Sequence, residues 1–201
     1  MKAIILLALF CVVACNQQEN TFIDTRDSKK YKITKIGEQV WMAENLNYEV
    51  EGSKCYNDSI SYCGKYGRLY NWNTAMKACP SGWHLPSNEE WDKLYRYADG
   101  TSGTESPYRS KMAGKYLKST SGWNESGNGE DKFGFYAIPG GFGNSDGLFG
   151  NVSNLGYWWS SASEYSSDSA YSRGIYYYYE DAYWGYDGKD DFLFSVRCVG
   201  D

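Results

Sequence analysis

Histidine is nearly absent: His84 is the single one in 201 residues. A Ser-His-Asp triad would have to use it. It stands in GWHLP, just before a helix cap, where structural hydrogen bonding is the expected role. With so little histidine, and cysteine spacings that are not C-x-x-C, a zinc site finds no support. A basic run is missing too. Lys+Arg number 20 against 25 Asp+Glu, a net charge of −5, and the signs are interspersed as on a solvated surface. That excludes nucleic acid as a partner. Prolines number 4, and no internal repeat is visible. The apolar run from Ala3 to Ala14 is too short to cross a bilayer. Rings and glycines are what the chain has in quantity: 18% aromatics, 20 of them Tyr, and 22 Gly. Such a composition favours many short strands and tight turns over long helices. The length suffices for one domain with a sizeable core.

The first residues, MKAIILLALFCVVACNQQEN, carry a short basic start at Lys2, the apolar run, and small residues leading into Cys15. This resembles the lipobox of bacterial lipoproteins. There the cysteine takes a diacylglycerol, the chain is cut before it, and the new amine is acylated. The resemblance implies a signal peptide over 1–14, a lipidated Cys15 with a tether to residue 22, and a folded domain over 23–201. It also implies an outer-membrane lipoprotein of the cell envelope, with the membrane as partner through its lipid. Several acyl chains on one residue anchor stably, which one chain does not. The alternative is an ordinary secretory peptide in which Cys15 is incidental.

Removing 1–14 deletes Cys11, and reserving Cys15 leaves Cys55, Cys63, Cys79 and Cys198. An even number in an exported chain reads as two disulfides, with three connectivities open. Cys55 and Cys63 lie close, in CYNDSISYC, so a small local loop is the economical pairing. Cys79 with Cys198 would then close most of the remaining chain, worth roughly 4 to 5 kcal/mol by loop entropy.

Alternation in YKITKIGEQVWM predicts a hairpin turning at Gly37-Glu38. Residues 51–68 are polar and read as a stapled loop. Trp72, Ala75, Met76 and Cys79 share helical spacing, and Pro80 ends that helix. Ser87 and Glu90 form a capping box ahead of the stripe Trp91, Leu94, Tyr95 and Ala98, with Gly100 as the stop. RSKMAGKYLK (109–118) suggests a short third helix. Beyond it Phe135 and Ile138-Pro139 bracket a strand, and YWWSS, AYSRGIYYYY and FLFSVRCV read as further strands. Strands at both ends enclose helices in the middle, an α+β chain whose terminal segments pair.

These residues match a family. CYNDS, YGRLYNWNTAMKACPSGWHLPSNEEWDKL, LKSTSGWN, DKFGFYAIPGG, YWWSS and FSVRCVGD resemble the Fibrobacter succinogenes major paralogous domain. Its members in the Fibrobacter and Bacteroides lineages are mostly secreted or lipid-anchored surface proteins of unknown biochemical role. HLPSNEEW and SVRCV are also similar, more distantly, to the C-type-lectin-like fold of formylglycine-generating enzymes. That likeness implies a small twisted, mainly antiparallel sheet, two main helices, long loops and two disulfides. It implies paired termini, and a cysteine near a helix joined to one near the last strand, which agrees with Cys79–Cys198.

No catalytic constellation emerges. An oxidase of the formylglycine-generating kind needs free cysteines close together near the C-terminal part, and Cys198 stands alone there. The pairs Glu89-Glu90, Glu180-Asp181 and Asp190-Asp191 are sequence neighbours and need not oppose each other across a scissile bond. Calcium is the one cofactor weighed. GWNESGNGED offers oxygen donors, with Asn124 and Asp131 as candidates, but it is no EF-hand loop. The lectin motifs EPN and QPD do not occur, and Asx turns account for the loop equally.

The aromatics carry the functional reading. With Ile175 facing inward, alternation sends Tyr177 and Tyr179 inward and Tyr176 and Tyr178 outward. Glu180 to Lys189 then reads as a loop or irregular hairpin tipped by Tyr183, Trp184 and Tyr186. Tyr176, Tyr178, Glu180, Asp181, Tyr183, Trp184, Tyr186 and Asp187 make the candidate ligand site. Rings stack on apolar sugar faces and carboxylates accept from hydroxyls. The expectation is a non-catalytic binding domain with a glycan ligand. A protein-interaction, adhesion or structural envelope module is the alternative, because Tyr serves protein contacts as well.

Overall fold

The computed structural model describes residues 20–101, 109–162 and 167–201. The expected signal peptide over 1–14, Cys15 and residues 16–19 of the expected tether lie outside the described residues. The chain runs through strands β1 (Thr21–Ile23), β2 (Lys30–Ile36), β3 (Gln39–Met42) and β4 (Ser53–Lys54). Then come helix α1 (Ile60–Tyr66), β5 (Leu69–Tyr70), α2 (Trp72–Ala78), β6 (Trp83–His84), α3 (Asn88–Asp99) and α4 (Ala113–Leu117). Strands β7 (Phe142–Asn144), β8 (Phe149–Gly150), β9 (Leu155–Trp159), β10 (Ser169–Tyr176), β11 (Tyr183–Gly188), β12 (Phe192–Ser195) and β13 (Val199–Gly200) follow.

The strands form two sheets rather than one small one. The first, in the order β1-β2-β3-β13-β6, is antiparallel throughout. Its hairpin turns at Gly37-Glu38 as expected, with Ile36 opposite Gln39 and Gly37 at φ +62°. Here the two ends of the domain meet: Val199 pairs with Trp41, and the Met42 and Leu46 amides donate to the Cys198 and Val196 carbonyls. Residues 21 and 22, read as tether, belong to β1; Phe22 packs against the Trp83 ring at 5.1 Å. The second sheet follows the order β11-β10-β9-β12-β5-β4, with β7 and β8 beside β12, and only its β9–β12 contact is parallel.

Alternation along this second sheet divides the interior. Trp158 and Trp159 are consecutive and fully buried, yet they enter different cores. Trp158, Ile175, Trp41, Trp91 and Phe135 pack on the face covered by α3 and α4. Trp159, Phe194, Tyr70 and Val196 pack on the other. Burying such rings is worth roughly 1.5–3 kcal/mol each, so this aromatic double core is the main stabilising element.

Helix α3 starts where Ser87 and Glu90 close the capping box, and ends at Gly100 in the left-handed region. Asn71 caps α2 by accepting from the Thr74 amide at 2.9 Å. The short helix expected in 109–118 is α4. Helix α1 differs from the expectation of a loop. Only Cys63 and Tyr66 of it are buried, while Ile60 is exposed, so no apolar stripe marks it. The Cys55–Cys63 disulfide ties its middle to the preceding turn, and Gly67 at φ +77° ends it. The segment around Phe135 and Ile138 is also not a strand: it touches neighbours through isolated pairings, Lys118 with Ala137 and Gly141 with Gly156. The second disulfide joins Cys79 to Cys198 across 119 residues.

Candidate functional site

Strand alternation stops at Tyr176, and a single side chain explains why. Lys118, at the end of α4, is 3% exposed. Its ammonium donates to the carbonyls of Tyr176, Tyr177 and Tyr179 at 3.3, 3.0 and 2.9 Å. Three carbonyls converging on one cation bend the chain out of the strand into a turn. Burial lowers the Lys118 pKa to about 8, with Glu180 and Asp181 acting in the opposite direction. Tyr177 packs, half buried, against the core, whereas Tyr179 is exposed, correcting the inward placement expected for it. Tyr178 is 55% exposed, and its ring stands 4.2 Å from that of Tyr179 at 55°. Tyr176 is half buried and stacks on Tyr183 at 5.3 Å.

The region after this turn is strand β11, antiparallel to β10, so of the two expected forms it takes the hairpin. Tyr183 lies opposite Gly174, and a side chain on Gly174 would meet the Tyr183 ring at 2.2 Å. The ring thus covers bare backbone and holds β11 on β10. One face of the pair carries Tyr176, Tyr183 and Asp187; the Asp187 carboxylate accepts from the Ser172 hydroxyl at 2.7 Å, and burial raises its pKa. The opposite face carries Trp184 and Tyr186, with the Trp184 ring edge-on to Tyr171 at 5.4 Å. The sheet therefore separates Trp184 and Tyr186 from Tyr176 and Tyr183. At the turn, Glu180 pairs with Lys115 at 3.0 Å and Asp181 with Arg109 at 3.0 Å. The Arg109 guanidinium also covers the Tyr179 ring at 5.4 Å.

What the turn does frame is a cleft of about 450 Å³, lined by Lys115, Lys118, residues 125–128 and residues 177–180. Lys115, Lys118, Ser126, Tyr177 and Tyr179 are members that sequence reasoning missed. LKSTSGWN held the one available signal, a lysine followed by Trp123, over whose ring the Lys118 ammonium sits at 5.4 Å. The polar 124–131 loop does not converge its oxygens on a single point. The Asn124 amide donates to Asn154, Asn128 accepts from the Trp123 amide, and Asp131 accepts from the Tyr136 amide. Asp131 faces a different cleft from residues 125–128. Among the described residues no cluster of three or more His, Cys, Asp or Glu could hold a metal.

His84 has the structural hydrogen bonding expected of it. Its Nδ1 lies 2.6 Å from Asp201 and its Nε2 2.8 Å from Glu90, the capping-box glutamate. Burial opposes the imidazolium, but the two carboxylates outweigh it and raise the pKa. Cys55, Cys63, Cys79 and Cys198 are all in disulfides. No helix among the described residues is long and apolar enough to cross a membrane.

Residues 34–200 match the family described as the Fibrobacter succinogenes major domain. No curated protein and no solved structure matches the chain.

Proposed function

The chain belongs to the Fibrobacter succinogenes major domain family, and from that premise we propose that it is a lipid-anchored, non-catalytic envelope protein that binds a glycan at the Tyr177–Glu180 turn. One observation carries the reading: two exposed tyrosine rings, 4.2 Å apart, open beside a cleft lined by charged and amide groups. A sugar ring offers an apolar face to Tyr178 or Tyr179 and hydroxyls to Glu180, Lys115 and Asn128. The Lys118 ammonium supports it by holding the turn before any ligand arrives, so little ordering entropy remains to be lost on binding.

The non-catalytic part rests on how the reactive groups are engaged. Cys55, Cys63, Cys79 and Cys198 are in disulfides, His84 is held between Glu90 and Asp201, and Glu180 and Asp181 each pair with a cation. Anchoring through Cys15 in the outer membrane rests on the lipobox alone. The C-type-lectin-like reading of the fold draws support from the paired ends of the domain and from the Cys79–Cys198 link.

The test is a glycan array probed with the full chain and with its Tyr178→Ala and Tyr179→Ala variants, with and without a calcium chelator. Loss of signal in the variants supports the site, and loss on chelation assigns calcium a part in it. A wild-type chain that binds no glycan overturns the reading. A protein role at the opposite face of the same strand pair is favoured by Tyr186, 49% exposed on edge strand β11. Capture of a defined envelope protein, lost in Tyr186→Ala, would support that role.

A further inference from the structure

A second, larger opening lies away from the tyrosine turn. Two clefts, about 730 and 330 Å³, share Glu44 and Tyr136 among their lining residues. Together they form a groove from β1 and β2 across the end of β3 toward the C-terminal end of α1. Tyr136 stands at the junction, 40% exposed and at φ +54°. That backbone region disfavours a residue with a side chain, so something must hold it. Two groups do. The Asp131 carboxylate accepts from the Tyr136 amide at 2.7 Å, and the Arg197 guanidinium donates to the carbonyls of Phe135 and Tyr136. Arg197 is fully buried and also donates to the Met42 carbonyl and to Asn45. It locks the Tyr136 loop to the end of β3, so the exposed ring is presented from a rigid floor. The packing of the core does not require this ring.

The lining indicates what the groove takes. Lys29, Lys30, Lys32 and Lys65 line the groove beside Glu44 and Asp131, in a chain whose net charge is −5. Lys29 also pairs with Asp27 at 3.1 Å. Between the charges stand Asn20, Thr21, Thr34 and Asn47, which suit hydroxyls better than apolar side chains. Positive charge, hydroxyl partners and one upright ring point to one class of ligand. We propose that this groove binds an extended acidic carbohydrate of the uronate-bearing kind, with Tyr136 against a sugar face and the lysines on its carboxylates. The site is independent of the tyrosine turn.

Calorimetry of the full chain with hexagalacturonate tests it, beside the methyl-esterified, neutral form and hexaglutamate. The acidic sugar binds, and weakens as salt rises. The neutral form binds about tenfold more weakly. Tyr136→Gly and Lys32→Glu each lower affinity by about tenfold. Glycine adopts the Tyr136 backbone without strain, so that variant keeps its fold, as its melting temperature will report. Tyr178→Ala leaves hexagalacturonate binding unchanged, which separates this site from the turn. No binding of hexagalacturonate, full affinity in both groove variants, or equal affinity for hexaglutamate overturns the proposal.

Discussion

Replacing Lys118 by Met tests the device that shapes the tyrosine turn. Methionine keeps the length and the apolar stem but removes the ammonium. Three bonds from a cation to the carbonyls of Tyr176, Tyr177 and Tyr179 are lost. At roughly 1.5–3 kcal/mol for a hydrogen bond to a charged group, that is roughly 5–9 kcal/mol gross. Burial of the charge works the other way. Lowering the pKa from the ordinary 10.5 to about 8 corresponds to roughly 3 kcal/mol that the variant recovers. Water also reaches the outer side of the turn, where Tyr178 and Tyr179 are exposed, and can satisfy part of what is lost. The lower end, a net loss of about 2 kcal/mol, is therefore the expected result. For a domain of this size that is about 4–8 °C in melting temperature. Urea unfolding gives the free energy, and hydrogen exchange of the 177–180 amides reports the turn itself. Stability within about 0.5 kcal/mol of wild type, with unchanged exchange in the turn, would refute the role assigned to Lys118.

Other residues give separate tests. For His84, the folded pKa is raised above 6.5, so its contribution is complete below that value and fades as pH rises through the folded pKa. His84→Gln should accordingly cost about 0.5 kcal/mol near pH 6 and less near pH 8.5, a small figure because the ring is 41% exposed; a penalty that ignores pH would contradict the paired imidazolium. Gly174→Ala places a methyl 2.2 Å from the Tyr183 ring. Overpacking of that kind costs about 1–3 kcal/mol, and tyrosine fluorescence should show Tyr183 displaced. Opening the 119-residue link with Cys79→Ser and Cys198→Ser should lower stability by roughly 4–5 kcal/mol in urea titrations. A loss under about 1 kcal/mol would mean that the unfolded chain gains little freedom from the break.

Much of the framework is legible residue by residue. Ser87 and Glu90 announce α3 because capping is a local reaction between a side chain and the adjacent turn. Gly37-Glu38 announces its hairpin for a similar reason. Helix α1 escapes notice because a disulfide and one tyrosine, not an apolar stripe, hold it. The four consecutive tyrosines look like a continuing strand because the ammonium that ends it comes from Lys118, 58 residues before Tyr176. Strand β11 is legible only as a loop or irregular hairpin, because what seats it is the bare backbone of Gly174 under Tyr183. Of the expected ligand set, Tyr178 and Glu180 meet at the cleft, while Trp184 and Tyr186 lie across the sheet from Tyr176 and Tyr183. The Tyr136 groove has no local signature, because its shape depends on Arg197, which lies 61 residues further along the chain.

The central claim is that the rings of the Tyr177–Glu180 turn form a sugar-binding surface. The most direct measurement is the affinity of the full chain for the strongest array-selected glycan, compared with that of Tyr178→Ala. The account predicts measurable binding to the wild type and a loss of about tenfold in the variant, the worth of one stacked ring. Equal affinity in the two proteins would contradict it.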